Sequence, residues 1–568
     1  MATVFAAAIC RYYSLIAWRT GYEGSVVTNH FARFIGALSL SLTVAACGGG
    51  GGGSIATPPP PPPPPPTAWQ PGVFLDSATF ADRCSAPRSG ADPTNSNRPY
   101  PDIQGTVIDE NNFLRSFSDE TYLWYDEITD QDPALFGDPI TYFGQLKTFA
   151  TLPSGRPKDP DSFHFSFDTQ AWFDLFQSGI TSGYGVQWFL AEPSPPNRVA
   201  LVSYTEPNSP ATDPAVDLIR SEEVISVDGE PVSNGDATIL NAGLFPETIG
   251  ETHTFEIRNP VTMTTRMVSM TSAEVNRAAV QGTRIIDSPA GKVGYLVFNT
   301  FSALAEEQLI DAVNQLIADA APDPVAELIV DLRYNGGGFG LIASQLAYMI
   351  AGPVPTTGRT FDLLQFNDKH PATNPITGQP IQPDPFRTTT SGFFMLPAGQ
   401  PLPTLDLSRV FVLTGSNTAS ASELLMNGLR GIDFPVIQVG STTRGKPYGF
   451  YETPNCGTSY FTVQFRSVNA KDWGDYAEGF QPAAVDDGFA NVLGCPIADD
   501  FSKELGDVEE DRLEVALAYA EGLGCVLPMS ADLSGFSKPI GAYPESDGFI
   551  FQSPMESNRI ELRPRNEQ

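Results

Sequence analysis

Hydrophobic and polar positions change rhythm several times along this chain. In the second half, short apolar runs alternate with stretches in which apolar residues recur every three or four positions. The runs are Val293-Gly294-Tyr295-Leu296-Val297-Phe298, Glu327-Leu328-Ile329-Val330-Asp331-Leu332, Val410 to Leu413 and Val436-Ile437-Gln438-Val439. The spaced stretches are Ala305 to Ala318, with Leu309, Ile310, Val313 and Leu316, then Leu341 to Ile350 and Glu423 to Arg430. Near-continuous runs mark strands buried on both faces, and three-to-four spacing marks amphipathic helices. The alternation predicts an α/β core over residues 276–525, a sheet with helices on its faces and reactive groups at the C-terminal ends of its strands.

Two other textures precede it. Over 75–178, turn-rich sequence leads into a helical pattern in which Phe113, Phe117, Thr121 and Trp124 fall near one face. This predicts a small N-terminal helical domain with those aromatics in its core. Over 179–275, short strands and turns predict a β-rich domain. It contains Ser182-Gly183-Tyr184-Gly185-Val186, Val199-Ala200-Leu201-Val202, Asn208-Ser209-Pro210-Ala211 and Ile225-Ser226-Val227-Asp228-Gly229. That order resembles a PDZ domain, which implies that Gly183, Tyr184, Gly185 and Val186 form a loop whose amides capture a peptide's terminal carboxylate while the peptide adds as a strand.

The N-terminus reads as an export signal. Phe34 to Ala46 is apolar, too short to span a membrane, preceded by Arg33 and ended by small residues. Val44-Ala45-Ala46-Cys47 resembles a bacterial lipobox, which implies that residues 1–46 are removed and Cys47 is lipidated. The residues ahead of about position 29 are unusual for such a signal and point to a translation start further downstream. Residues 47–74 hold a glycine run and nine prolines, Pro58 to Pro66, expected to act as a spacer from a membrane surface. Residues 526–568 form a C-terminal tail. The segment 353–405, rich in Pro, Thr and Gly, fits either a lid or a surface insertion.

Across 568 residues the net charge is −33, which argues against nucleic acid as a partner. Cys84, Cys456, Cys495 and Cys525 remain after the signal. In an exported chain they allow two disulfides in three connectivities, and their wide spacing speaks against a zinc site.

Candidate chemistry sits where three predicted strands end. After the first comes Arg333-Tyr334-Asn335-Gly336-Gly337-Gly338, where glycines let backbone amides converge. No lysine or serine follows in the frame of a phosphate loop, so an oxyanion hole is the better reading. After the second comes Gly415-Ser416-Asn417-Thr418-Ala419-Ser420-Ala421-Ser422-Glu423, serines between a strand and a helix. After the third comes Arg444-Gly445-Lys446. A desolvated lysine is able to take a serine's proton. His164, His253 and His370 sit in no recognisable motif.

Asp331-Leu332-Arg333-x-Asn335-x-Gly337-Gly338, Thr418-Ala419-Ser420-Ala421-Ser422-Glu423 and Gly445-Lys446, behind a PDZ-like segment, resemble the C-terminal processing (tail-specific) serine peptidases. Gly479 to Val485 resembles the family's return strand and Asp511 to Gly522 its last helix. The resemblance implies a multidomain α/β protein with a crotonase-like or ClpP-like peptidase core, an inserted PDZ-like domain and no cofactor. It implies Ser420 as nucleophile, ahead of Ser416 and Ser422, and Lys446 as general base. The amides of Gly337 and Ala421 become the oxyanion hole. The expected partners are protein or peptide substrates and, through Cys47, a bacterial envelope membrane. The family's orienting Gln, four residues past the lysine, is replaced by Phe450, so another polar group, such as Glu423 or Ser422, is expected to orient the base. Loss of that Gln also leaves open a catalytically silent, membrane-tethered peptide-binding protein on the same fold.

Overall fold

The computed structural model describes residues 69–528, apart from 96, 179, 193–194, 247 and 394–395, together with 559–561. The expected export signal, Cys47, the Gly/Pro spacer and most of the tail lie outside the described residues.

A seven-stranded sheet organises the core. Its order is Val280–Ser288, Gly291–Phe298, Val325–Asp331, Val410–Thr414, Val436–Gly440, Asn491–Pro496 and Gln481–Ala483. Only the first pair is antiparallel. Every residue of Val410–Thr414 and Val436–Gly440 is buried, which explains their unbroken apolar sequence. Helices Ala305–Ala320, Gly340–Ala351 and Ala421–Gly431 bury Leu309, Leu346 and Leu425 against one face, where they meet Val330 and Val412. Helix Asp511–Ala520 covers the other face, packing Leu513 and Val515 near Ile329, Phe411 and Ile437. The predicted strands and helices of the core are all present.

The segment after residue 180 holds an antiparallel sheet in the order Thr265–Thr271, Thr252–Arg258, Glu223–Val227, Val199–Thr205, Val186–Glu192, with helix Ala237–Leu244 packed on it. Asp228 and Gly229 both take positive φ and join Val227 to Glu230 in a two-residue hairpin, the turn that Asp-Gly favours. Val186–Glu192 closes the strand order and pairs only with Val199–Thr205 among the described residues.

The N-terminal segment, expected as a small helical domain, holds one long helix together with short strands and is completed by distant residues. Its long helix, Val107–Thr121, is capped by Thr106 and Asp109 and buries Phe113, Leu114 and Phe117. That cluster is completed by Tyr460 from the far end of the sequence. Strand Phe165–Asp168 pairs with Thr458–Phe461, and a disulfide joins Cys84 to Cys456. Partners up to 372 residues away supply what local periodicity cannot show. The second disulfide is Cys495–Cys525. Residues 353–405, expected as a lid or a surface insertion, are packed in part into the main core: Phe386, Phe393 and Leu402 are buried there, and Glu306 accepts the amides of Ser391 and Phe393.

Candidate active site

Strands Val325–Asp331, Val410–Thr414 and Val436–Gly440 are neighbours in the sheet, so the loops at their C-terminal ends meet. Ser420 stands at the head of helix Ala421–Gly431 with φ 59° and ψ −113°. A side chain rarely tolerates that backbone, so the surroundings must impose it. They do so from both sides. Thr418 Oγ1 accepts the Gly415 amide at 2.9 Å and donates to Leu332 O at 2.7 Å. The Ala419 amide and Ser422 Oγ both donate to Asn335 O, at 3.1 and 3.0 Å.

The glycine loop lies directly against the serine. Gly337 has φ 116°, and a Cβ there would come within 2.8 Å of Ser420 Cβ and 3.1 Å of the Ala421 nitrogen. Only glycine fits. The expected pair of oxyanion donors is half available, because the Gly337 amide already donates to Asn335 Oδ1 at 2.9 Å. The Ala421 amide, in the first turn of its helix, has no intrahelical acceptor.

Glu423 ties the serine to the lysine loop. One of its carboxylate oxygens accepts the Ser420 amide at 2.9 Å and the Lys446 amide at 2.8 Å. The other accepts the Gly445 amide at 2.7 Å and Thr443 Oγ1 at 2.6 Å. Burial nevertheless pushes the Glu423 carboxyl above its usual range. Glu423 and Ser422, expected to orient the lysine's amine, instead hold backbone, the first across both loops and the second on the glycine loop.

Lys446 and Ser420 are each 1% exposed, and neither Nζ nor Oγ has a hydrogen-bond partner among the described residues. The ammonium end of Lys446 lies 4.3 Å from the centroid of the Phe163 ring and 4.9 Å from that of Phe450. Loss of water holds its pKa well below the ordinary lysine value, with Arg444 adding to the effect and Asp159 and Glu423 opposing it.

Asp159, which no sequence motif marked, acts electrostatically on this amine. Its carboxyl is fully buried: Oδ2 accepts Tyr122 Oη at 2.6 Å, and Oδ1 has no partner among the described residues. Burial pushes its pKa up to about 7, against the pull of Tyr122, Lys147 and Lys446. His164 is buried beside it between Thr462 Oγ1 and Phe143 O, and desolvation keeps it neutral.

Residues 292–455, which hold all three loops, match the profile of Peptidase family S41. The chain carries an S41 peptidase domain. The chain is also 27% identical over 269 residues to the carboxyl-terminal-processing protease of Picosynechococcus sp. (strain ATCC 27264 / PCC 7002 / PR-6), covering 47% of this chain and 55% of that protein. It therefore spans about half the length of the curated relative it matches. A protein of Bacteroides fragilis NCTC 9343 described as an S41 protease shares the fold at 23% identity and a TM-score of 0.50, over 75% of this chain and 98% of that one.

The root of the S41 domain's glycine loop is anchored by buried charge. Arg333 bonds Asp331, Asp499 and Glu510, and Tyr295 Oη donates to Asp331. Arg220, from the β-rich segment, reaches Tyr334 Oη at 2.6 Å and Asp499 at 2.9 Å. In the same β-rich segment, Gly183, Tyr184, Gly185 and Val186 line a cleft of about 730 Å³ with Trp188, Leu244 and Phe245. Its loop is held by hydrogen bonds: Tyr184 O and Gly185 O accept the amides of Ala211 and Glu206, and Tyr184 Oη donates to Gly243 O. Among the described residues no cluster of His, Cys, Asp and Glu suits a metal ion, and no helix is long and apolar enough to cross a membrane.

Proposed function

We propose that this chain is a serine endopeptidase of the tail-specific class working through a Ser420–Lys446 dyad. The observation that carries the reading is the pairing of a backbone-strained serine with a desolvated, unpartnered lysine on loops clamped by one carboxylate, Glu423. Lys446 Nζ, neutral because water is excluded, takes the Ser420 Oγ proton as the oxygen attacks a peptide carbonyl. The tetrahedral oxyanion is received by the Ala421 amide and, once Asn335 Oδ1 releases it, by that of Gly337. One such donor lowers the barrier by roughly 3 kcal/mol. The lysine ammonium then protonates the departing amine, and water hydrolyses the acyl-enzyme by the reverse proton path.

Substrate presentation falls to the β-rich segment. Strand Val186–Glu192 lies at the end of its sheet beside the 730 Å³ cleft, an arrangement suited to adding a peptide as a further strand. The resemblance of Val44 to Cys47 to a lipobox supports a lipid anchor in the bacterial envelope, and Cys47→Ser is expected to release the chain from the membrane fraction.

The dyad is tested with a denatured protein substrate and a serine-directed fluorophosphonate. Wild type cleaves the one and is labelled by the other at Ser420. Ser420→Ala and Lys446→Ala keep the fold and lose at least about 10³-fold in turnover. A wild-type protein that neither cleaves nor is labelled sinks the proposal in favour of a silent peptide-binding protein.

A further inference from the structure

Two short strands flank the candidate dyad, and each leaves an edge open toward the other. Gly338–Phe339 follows the glycine that packs on Ser420, and Tyr448–Tyr451 begins two residues after Lys446. Phe301 occupies one side of the first, donating to Gly337 O and accepting the Phe339 amide, both at 2.8 Å. Strand Phe465–Val468 occupies one side of the second, at Tyr448 and Gly449. What fills the gap between them is the chain's own tail. Arg559–Glu561 pairs in parallel with both: Gly338 opposite Arg559, Phe339 and Phe450 opposite Ile560, and Tyr451 opposite Glu561.

We propose that this gap is a binding slot for an extended polypeptide main chain and that Arg559–Glu561 occupies it in cis, so that an incoming substrate must displace the tail. The inference rests on the peptidase reading and deepens it. Pairing through backbone on both edges selects an extended peptide of almost any sequence, which suits a protease that acts on varied chains. Three paired residues bind weakly between molecules. Pairing within one chain is intramolecular and so gains an effective concentration on the order of millimolar over pairing between molecules, enough for such a contact to persist. The near-complete burial of Ser420 agrees with an occupied site.

The test uses full-length wild type and full-length Ile560→Pro, since proline removes the amide and does not sit in a strand paired on both edges. Fluorophosphonate labelling of Ser420 is expected to run at least about tenfold faster in Ile560→Pro, with an unchanged unfolding midpoint. A synthetic peptide of residues 555–566 is expected to suppress that gain competitively. Equal labelling rates in the two proteins overturn the proposal, as does a fall in the unfolding midpoint, which makes the tail a structural strand. A wild-type rate that rises on dilution assigns the slot to a second copy's tail and overturns cis occupancy. If neither protein is labelled, the peptidase reading fails and the slot is judged by fluorescence anisotropy of the labelled peptide. Binding to Ile560→Pro and not to wild type supports it, and binding to neither overturns it.

Discussion

Asp159 and Lys446 are both buried, and each pulls the other electrostatically toward the charged form while burial pushes both toward neutrality. The carboxyl titrates at about 7, where its ionisation strengthens the lysine's hold on its proton. The base is competent only when neutral, so kcat/KM falls on the acid side as Lys446 is protonated. Asp159→Asn keeps an acceptor for Tyr122 Oη but stays uncharged at every pH. Its acid limb is expected at lower pH than in wild type and as a single ionisation. Its maximal kcat should fall, since the ammonium formed during acylation loses a counter-charge. Glu423 and Arg444 also act on this amine and are unchanged in the variant. An acid limb that does not move shows that Asp159 has no hold on the lysine.

Gly337→Ala should disable the site without unfolding the protein. The added methyl meets Ser420 Cβ at 2.8 Å on a backbone of φ 116°, so the serine or the loop must shift. A displacement near 1 Å costs on the order of 10²-fold in rate. Fluorophosphonate labelling should fall accordingly while thermal unfolding moves by only a few degrees. Normal labelling would show that the two loops need not touch.

Glu423→Gln replaces one acceptor oxygen by a donor in a pocket that supplies four donors. Two of them then face an amide NH2. Leaving buried groups unpaired costs about 1–3 kcal/mol each, so both stability and turnover should fall. Denaturant unfolding measures the first and single-turnover acylation the second. A loss confined to turnover would mean that Glu423 acts on the reacting atoms and not on the backbone.

Glu510→Gln tests the anchor of the glycine loop. Arg333 is bonded by three carboxylates and is almost wholly buried. Removing one partner from a buried pair costs about 3–5 kcal/mol, to be read as a lowered denaturation midpoint with unchanged m. A variant as stable as wild type would place the network's contribution in Asp331 and Asp499 alone.

The core was legible because its strands are buried on both faces and its loops carry motif residues at the strand ends. Ser420, Lys446 and Gly337 were marked by their motifs; the structure sets Gly337 against Ser420 and holds the Ser420 and Lys446 amides on one carboxylate. Glu423 was found with a different role, since sequence shows a carboxylate near a serine but not which donors converge on it. Asp159, Tyr122 and Phe163 left no signal of a role at the site: Tyr122 reads as one more aromatic of a helical pattern, Asp159 and Phe163 carry no motif, and all three gain meaning only by packing near residues 446–463. The same distance hid the partners of the N-terminal segment, whose strand Phe165–Asp168 pairs with Thr458–Phe461. Four cysteines gave three pairings of equal standing, and only the fold selects Cys84–Cys456 and Cys495–Cys525.

The pocket around Lys446 is built from residues 122–164 and 446–463, two pieces of chain synthesised far apart in time. A nascent polypeptide moving N-terminus first delivers Asp159 and Phe163 long before their counterparts arrive. Until the later piece folds back, the lysine has no dry enclosure and keeps its proton. A chain whose two pieces have not yet met therefore lacks the neutral lysine that the proposed dyad requires.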